Sequence, residues 1–81
     1  MTHDEIRTAF VDELTRIAPD IDGETVSDED HLMDDLGLDS MDILNLVTAI
    51  QTRLGVSVPE TDYPRLETLE KAVDYLAGKL D

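Results

Sequence analysis

The sequence predicts an all-α protein: a small four-helix bundle with three main helices, one short helix and a long first loop. Three observations carry this. Apolar residues recur three and four positions apart in three separate segments, as one face of a helix requires. Each of those segments opens on a residue that can cap a helix. The one strand-like run, Val56 to Val58, stops at Pro59 and has no partner run elsewhere in the chain.

The first helix starts from Thr-His-Asp-Glu, a capping box in which Thr2 accepts from first-turn amides and Glu5 reaches back. Ile6, Phe10, Val11, Leu14 and Ile17 follow at helical spacing, and the helix is expected to run to about Ala18 and stop at Pro19. Residues 19 to 38 hold Pro19, Gly23 and Gly37 among Asp, Ser and Thr. A loop this long in a small domain is functional or disordered as a rule, and regularly placed apolar anchors at Ile21, Val26, Leu32, Met33, Leu36 and Leu38 favour an ordered one.

The second helix is expected from Ser40 to Leu54, with Asp39 as N-cap, Asp42 complementing the helix dipole and Gly55 just past the end. Ile43, Leu46, Val47, Ile50 and Leu54 share one face, while Met41 and Leu44 fall to the side. Residues 56 to 59 read as an extended connector. Glu-Thr-Asp-Tyr-Pro-Arg-Leu then permits only a short helical turn, because Pro64 suits a first turn. Thr68 caps a closing helix with Leu69, Val73, Leu76 and Leu80 on its apolar side.

At 81 residues the chain reads as one domain, residues 1–81, and a domain of this size buries only about 60–65% of its unfolded surface. That argues against a deep internal active site. Two tyrosines and one phenylalanine are the whole aromatic content, so the core must be aliphatic. With no cysteine, disulfides, thiolate metal sites and cysteine nucleophiles are excluded. The N-terminus lacks a basic segment followed by an apolar one, and no apolar run approaches a membrane span, so the cytoplasm is the expected compartment.

Twenty acids against six bases give a formal charge of −14, which repels nucleic-acid phosphates and anionic headgroups alike. Partners should present basic surfaces. Between Arg16 and Arg53 there is no Lys or Arg, while ten acids fall there, and that block encloses Ser40.

Two chemistries can be tested against the pattern. Setting Gly23 at the sixth position of an EF-hand loop puts Asp20 third, Asp22 fifth and Glu29 twelfth, but the first ligand would be Ala18, so the fit fails where the loop must be anchored. A calcium-binding or adaptor module is therefore a distant alternative, and no metal ligand is assigned. A catalytic serine needs a base within reach, and the two histidines, His3 and His31, cannot be placed near Ser40 from sequence. No catalytic residue is expected. With Asp39 available as cap, an exposed Ser40 beside Met41 and Leu44 suits a target of another enzyme better than a catalyst. A phosphorylation site would look much the same, although the added charge would face Asp39 and Asp42 unfavourably.

Residues Asp34 to Ile50, DDLGLDSMDILNLVTAI, resemble the acyl carrier protein family, which includes the related peptidyl and D-alanyl carriers. The resemblance centres on Asp39, Ser40 and Met41 preceded by Leu36 and Gly37, and it extends through the long loop, the connector and the closing helix. It implies a non-enzymatic carrier in which a separate phosphopantetheinyl transferase attaches 4′-phosphopantetheine to Ser40, and the arm's thiol carries acyl intermediates as thioesters. It also implies that Asp39 orients the serine and the transferase, that Asp42 contacts basic partners, and that Met41 and Leu44 make apolar contacts with them. Those partners are the transferase and acyl-activating and acyl-transferring enzymes, with the carrier as a monomer.

Part of an acyl chain could lodge among Val47, Ile50, Leu54 and the leucines of the closing helix, which read equally as ordinary core. The family's fatty-acid members often carry several acids along the second helix, whereas Asn45, Thr48, Gln51, Thr52 and Arg53 stand here. That weakens the case for housekeeping fatty-acid synthesis and leaves room for a specialised carrier in a dedicated lipid or polyketide pathway. An aminoacyl, D-alanyl or peptidyl carrier is the alternative within the family.

Overall fold

A computed structural model describes residues 1–80. Helix α1 spans His3–Ile17, α2 Ser40–Leu54 and α3 Leu69–Leu80, with a seven-residue 3-10 helix at Glu60–Leu66 between the last two. The architecture is the expected four-helix one. Helix α1 packs against both α2 and α3, and the 3-10 helix packs against α3.

Each main helix begins as its sequence dictates. The Thr2 side chain accepts from the Glu5 amide and the Glu5 carboxylate accepts from the Thr2 amide, so the capping box forms in both directions. The Thr2 amide, and after it the Thr2 hydroxyl, favour the charged carboxylate and hold the Glu5 pKa below its ordinary value. At the other end of α2, Gly55 has φ 69, the left-handed conformation that ends a helix cheaply only in glycine.

The core is aliphatic around one aromatic ring: Ile6, Phe10, Leu14, Leu46, Ile50, Leu69 and Leu76 are all at most 2% exposed. Glu13 is the acid drawn into it. Its carboxylate lies 3.3 Å from both Arg16 and Arg53, so the last turn of α2 is clasped to α1 through a charge that neither leaves unpaired.

The long first loop is ordered, and its backbone bonds explain why. The leading amides of a helix lack partners within it. In α3 the Leu69 amide donates to the Asp30 carbonyl at 3.2 Å and the Glu70 amide to the Asp28 carbonyl at 2.9 Å, while Thr68 Oγ1 takes the Lys71 amide at 3.1 Å. The Leu32 amide returns a bond to the Glu67 carbonyl at 3.0 Å, beside an isolated bridge between His31 and Thr68. The loop thus caps α3, and Val26, Leu32 and Leu38 plug into the core beneath it.

Two expectations need correction. Met33 is not an anchor: it is 52% exposed, because the turn that buries Leu32 sends its neighbour outward. Pro64 lies fifth in the 3-10 helix rather than in its first turn. The short, tight winding accepts it because proline's fixed φ is already near helical and only one donor is lost.

Candidate functional site

The site is built where the loop meets α2. Gly37, at φ 74, closes a turn in which its amide donates to the Met33 carbonyl and the Leu38 amide to the Leu32 carbonyl, each at 3.1 Å. Leu38 then enters the core and Asp39 arrives extended, at φ −96 and ψ −178, as the N-cap of α2. The Asp42 amide donates to Asp39 Oδ1 at 2.9 Å and the Asp39 amide to Asp42 Oδ2 at 3.3 Å. Asp42 therefore does more than complement the dipole: it completes a second capping box.

Ser40 is the first residue of α2 and is exposed. Capping is done by the aspartates on either side, so its hydroxyl is not committed to holding the helix end. Next to it, Met41 is 62% exposed and Leu44 43% exposed, an apolar pair outside the core. All five residues singled out from sequence, Asp39, Ser40, Met41, Asp42 and Leu44, thus gather on the first turn and a half of one helix.

Beside the serine runs a groove of about 750 Å³ between the loop, the start of α2 and the 3-10 helix. Buried Leu32 and Leu66 lie in it with Ile43, Met33, Met41, Leu44, Tyr63 and Pro64, and His31, Asp34, Glu60 and Glu67 supply polar groups. Sequence reasoning missed the far wall entirely, since residues 60–67 come to the serine only through the loop's bonds to the start of α3. The same bonds bring His31 and Ser40 to one groove, although the His31 ring turns to Glu67, with Nδ1 3.3 Å from Oε1. Glu67 holds that ring, and among the described residues no hydrogen bond joins His31 to Ser40. Val47 and Ile50, considered as cargo lining, are packed at 3% and 1% exposure and do not line this groove.

Nor does the acidic loop assemble a calcium site: Asp22 accepts the Glu24 amide, and among the described residues no group of three or more His, Asp or Glu side chains is placed to hold a metal. Among the same residues no helix is long and apolar enough to cross a membrane.

A small helical bundle that holds one uncommitted hydroxyl outward at a helix N-terminus, next to an open apolar groove, has the design of a carrier module. The sequence profile of the family described as "Phosphopantetheine attachment site" matches residues 4–76. An acyl carrier protein of Campylobacter jejuni is 31% identical over 75 residues, covering 93% of this chain and 91% of its own, and that of another strain is 29% identical over the same share. The solution structure of a putative acyl carrier protein from Anaplasma phagocytophilum shares the fold, with a TM-score of 0.87 at 24% identity over 100% of this chain and 94% of that one. The chain belongs to the phosphopantetheine-attachment family, that of the acyl carrier proteins. It carries acyl groups on covalently attached 4′-phosphopantetheine.

The residues present fit that group. A phosphodiester needs an accessible hydroxyl, which Ser40 would offer, and on the first residue of α2 the positive end of the helix dipole would offset the repulsion its phosphate meets from Asp39 and Asp42. The groove leaves open space directly beside it.

Proposed function

We propose that Ser40 is the attachment residue and that residues 1–81 act as one monomeric cytoplasmic carrier domain without catalysis of its own. The observation that carries this is the division of labour at the start of α2: Asp39 and Asp42 hold the helix end, and the serine between them is left exposed beside the groove. Bound through Ser40, the arm supplies a thiol that the cysteine-free chain lacks. The chain's own part is to present the serine, to keep it clear of the core and to be recognised. In this reading Asp39 fixes the orientation of Ser40, Asp42 meets basic groups of partners, and Met41 and Leu44 provide apolar contact.

The partners are a phosphopantetheinyl transferase and acyl-activating and acyl-transferring enzymes with basic docking surfaces. The charge supports this, since exposed Asp34, Asp35 and Asp39 all stand in the short segment that leads into Ser40. A dedicated pathway is favoured over housekeeping fatty-acid synthesis, because α2 carries no acid beyond Asp42.

The test is the intact mass after incubation with coenzyme A, magnesium and a broad-specificity phosphopantetheinyl transferase. A single phosphopantetheine addition to the wild type and none to a folded Ser40→Ala variant is expected. Addition to that variant would move the attachment elsewhere.

A further inference from the structure

We propose that Met33 and Met41 form a paired oxidation site at the groove beside Ser40, where hydrogen peroxide converts both thioethers to sulfoxides and thereby slows attachment at the serine. The slowing rests on Ser40 being the attachment residue; the oxidation itself does not. The chain holds three methionines and all are on its surface, Met1, Met33 and Met41 being 65%, 52% and 62% exposed. Two of them line one groove and come to it from different elements, Met33 from the long loop and Met41 from the second residue of α2. Met1 lies elsewhere, in a separate hollow with Arg53 and Leu54 at the far end of α2.

Exposure makes these sulfurs reachable, and the backbone keeps them at the groove. The Met33 carbonyl accepts the Gly37 amide at 3.1 Å inside the ordered turn, and Met41 stands in a capped first helical turn, so fixed main chain presents each thioether. The chain has no cysteine thiol to draw an oxidant away. Its charge of −14, with Asp34 next to Met33 and Asp42 next to Met41, repels anionic oxidants and leaves neutral hydrogen peroxide unopposed. In the reaction a sulfur lone pair attacks one peroxide oxygen, so that the sulfur–oxygen bond forms as the oxygen–oxygen bond breaks. The proton on the transferred oxygen passes to the departing hydroxide, which leaves as water. The sulfur gives up two electrons, the peroxide takes them, and the product is methionine sulfoxide.

The fold tolerates this change and the groove does not. The buried apolar core consists of Ile, Leu, Val, Ala and Phe, so the sulfoxides form without opening it. In the groove, however, each puts a polar oxygen beside an apolar wall of Leu32, Ile43, Leu44, Tyr63 and Leu66. An enzyme closing on the Ser40 hydroxyl covers Met41 in the same turn and would bury a sulfoxide for which it has no partner ready. Reductases specific for the two sulfoxide epimers return the thioether, which makes the change a reversible brake.

The experiment treats the whole chain, before loading, with hydrogen peroxide, removes the oxidant and maps the added oxygen by peptide mass. kcat/KM for loading from coenzyme A by a broad-specificity phosphopantetheinyl transferase is then measured on treated and untreated chain, with circular dichroism of both. One oxygen at each of Met33 and Met41 is expected, with unchanged helix content and a fall in kcat/KM of about tenfold, the effect of burying a polar group without a partner. Methionine sulfoxide reductases of both stereospecificities should restore the rate. Met33→Leu and Met41→Leu are combined in one variant that keeps Met1, and each chain is compared with its own untreated form. Peroxide should leave the rate of this double variant as it was.

An oxidised wild type that loads as fast as the untreated one would overturn the proposal. So would an equal loss in the double variant, which would place the sensitivity outside the pair. A loss of helix content on oxidation would trace the effect to the fold and overturn it too. Peroxide that oxidises Met1 and spares Met33 and Met41 would remove the site itself. Failure of the untreated wild type to load would overturn the Ser40 assignment and the slowing that rests on it, while the peptide masses still decide the oxidation site.

Discussion

Asp39 and Asp42 cap one another across the first turn of α2, each backbone amide donating to the other's carboxylate, at 2.9 and 3.3 Å. The pair encloses Ser40 without using it. Replacing Asp39 by Ala should cost about 1 kcal/mol, the usual worth of an N-cap, whereas Ser40→Ala should stay within about 0.5 kcal/mol. Urea unfolding of the two variants checks this, and the reverse order would make the serine the structural residue.

Gly37→Ala should cost about 1–2 kcal/mol although there is open space for the methyl, because its φ of 74 is strained for any side chain. The loading rate should fall as well, since this turn delivers Asp39 to its capping position. Thermal melting and a loading assay on the same sample measure both effects.

Arg53→Ala removes one of the two guanidinium groups beside the buried Glu13 carboxylate. A loss of about 1 kcal/mol is expected, the side chain of Arg53 being 37% exposed and Arg16 remaining in place. In the Glu13→Gln background the same change should cost less. A double-mutant cycle by urea unfolding reads the difference, and equal costs would show that the clasp is idle.

Tyr75 of α3 donates its hydroxyl to Asp62 of the 3-10 helix. Burial, then that bond and the charge of Asp62, push its pKa up to about 12, against an opposing pull from Arg65. A phenol whose folded pKa lies above the unfolded value of 10.0 adds stability that is fully present below that pH and fades as pH rises through about 12. Absorbance titration should show one tyrosine ionising late, and Tyr75→Phe should remove that transition and cost about 1 kcal/mol. An unchanged titration in the variant would assign the late transition to another group.

The helices were legible in the sequence because they rest on local rules. Thr2 with Glu5, Asp39 before Ser40 and Thr68 before Leu69 each announce a helix within a few residues, and the apolar spacing supplies the inward face. The first turn of α2 was legible for the same reason, including the exposure of Met41 and Leu44 off the main stripe. The groove was not, since Tyr63, Leu66 and Glu67 reach Ser40 only through bonds between residues 28–32 and 67–70, and no local pattern records a pairing at that separation. The same blindness put Met33 among the anchors: its neighbour Leu32 is held by Glu67, and that distant bond decides which of the two turns inward.

Those bonds also set a schedule. On a growing chain, Ser40 leaves the ribosome well before the carbonyls of Asp28 and Asp30 can find the amides of Leu69 and Glu70. Until residues beyond 70 have been synthesised, the loop ahead of the serine has nothing to close against and the groove has only one wall. The second wall of the groove therefore forms only after the last helix has been made, and an enzyme that required both walls would distinguish a completed fold from a nascent one.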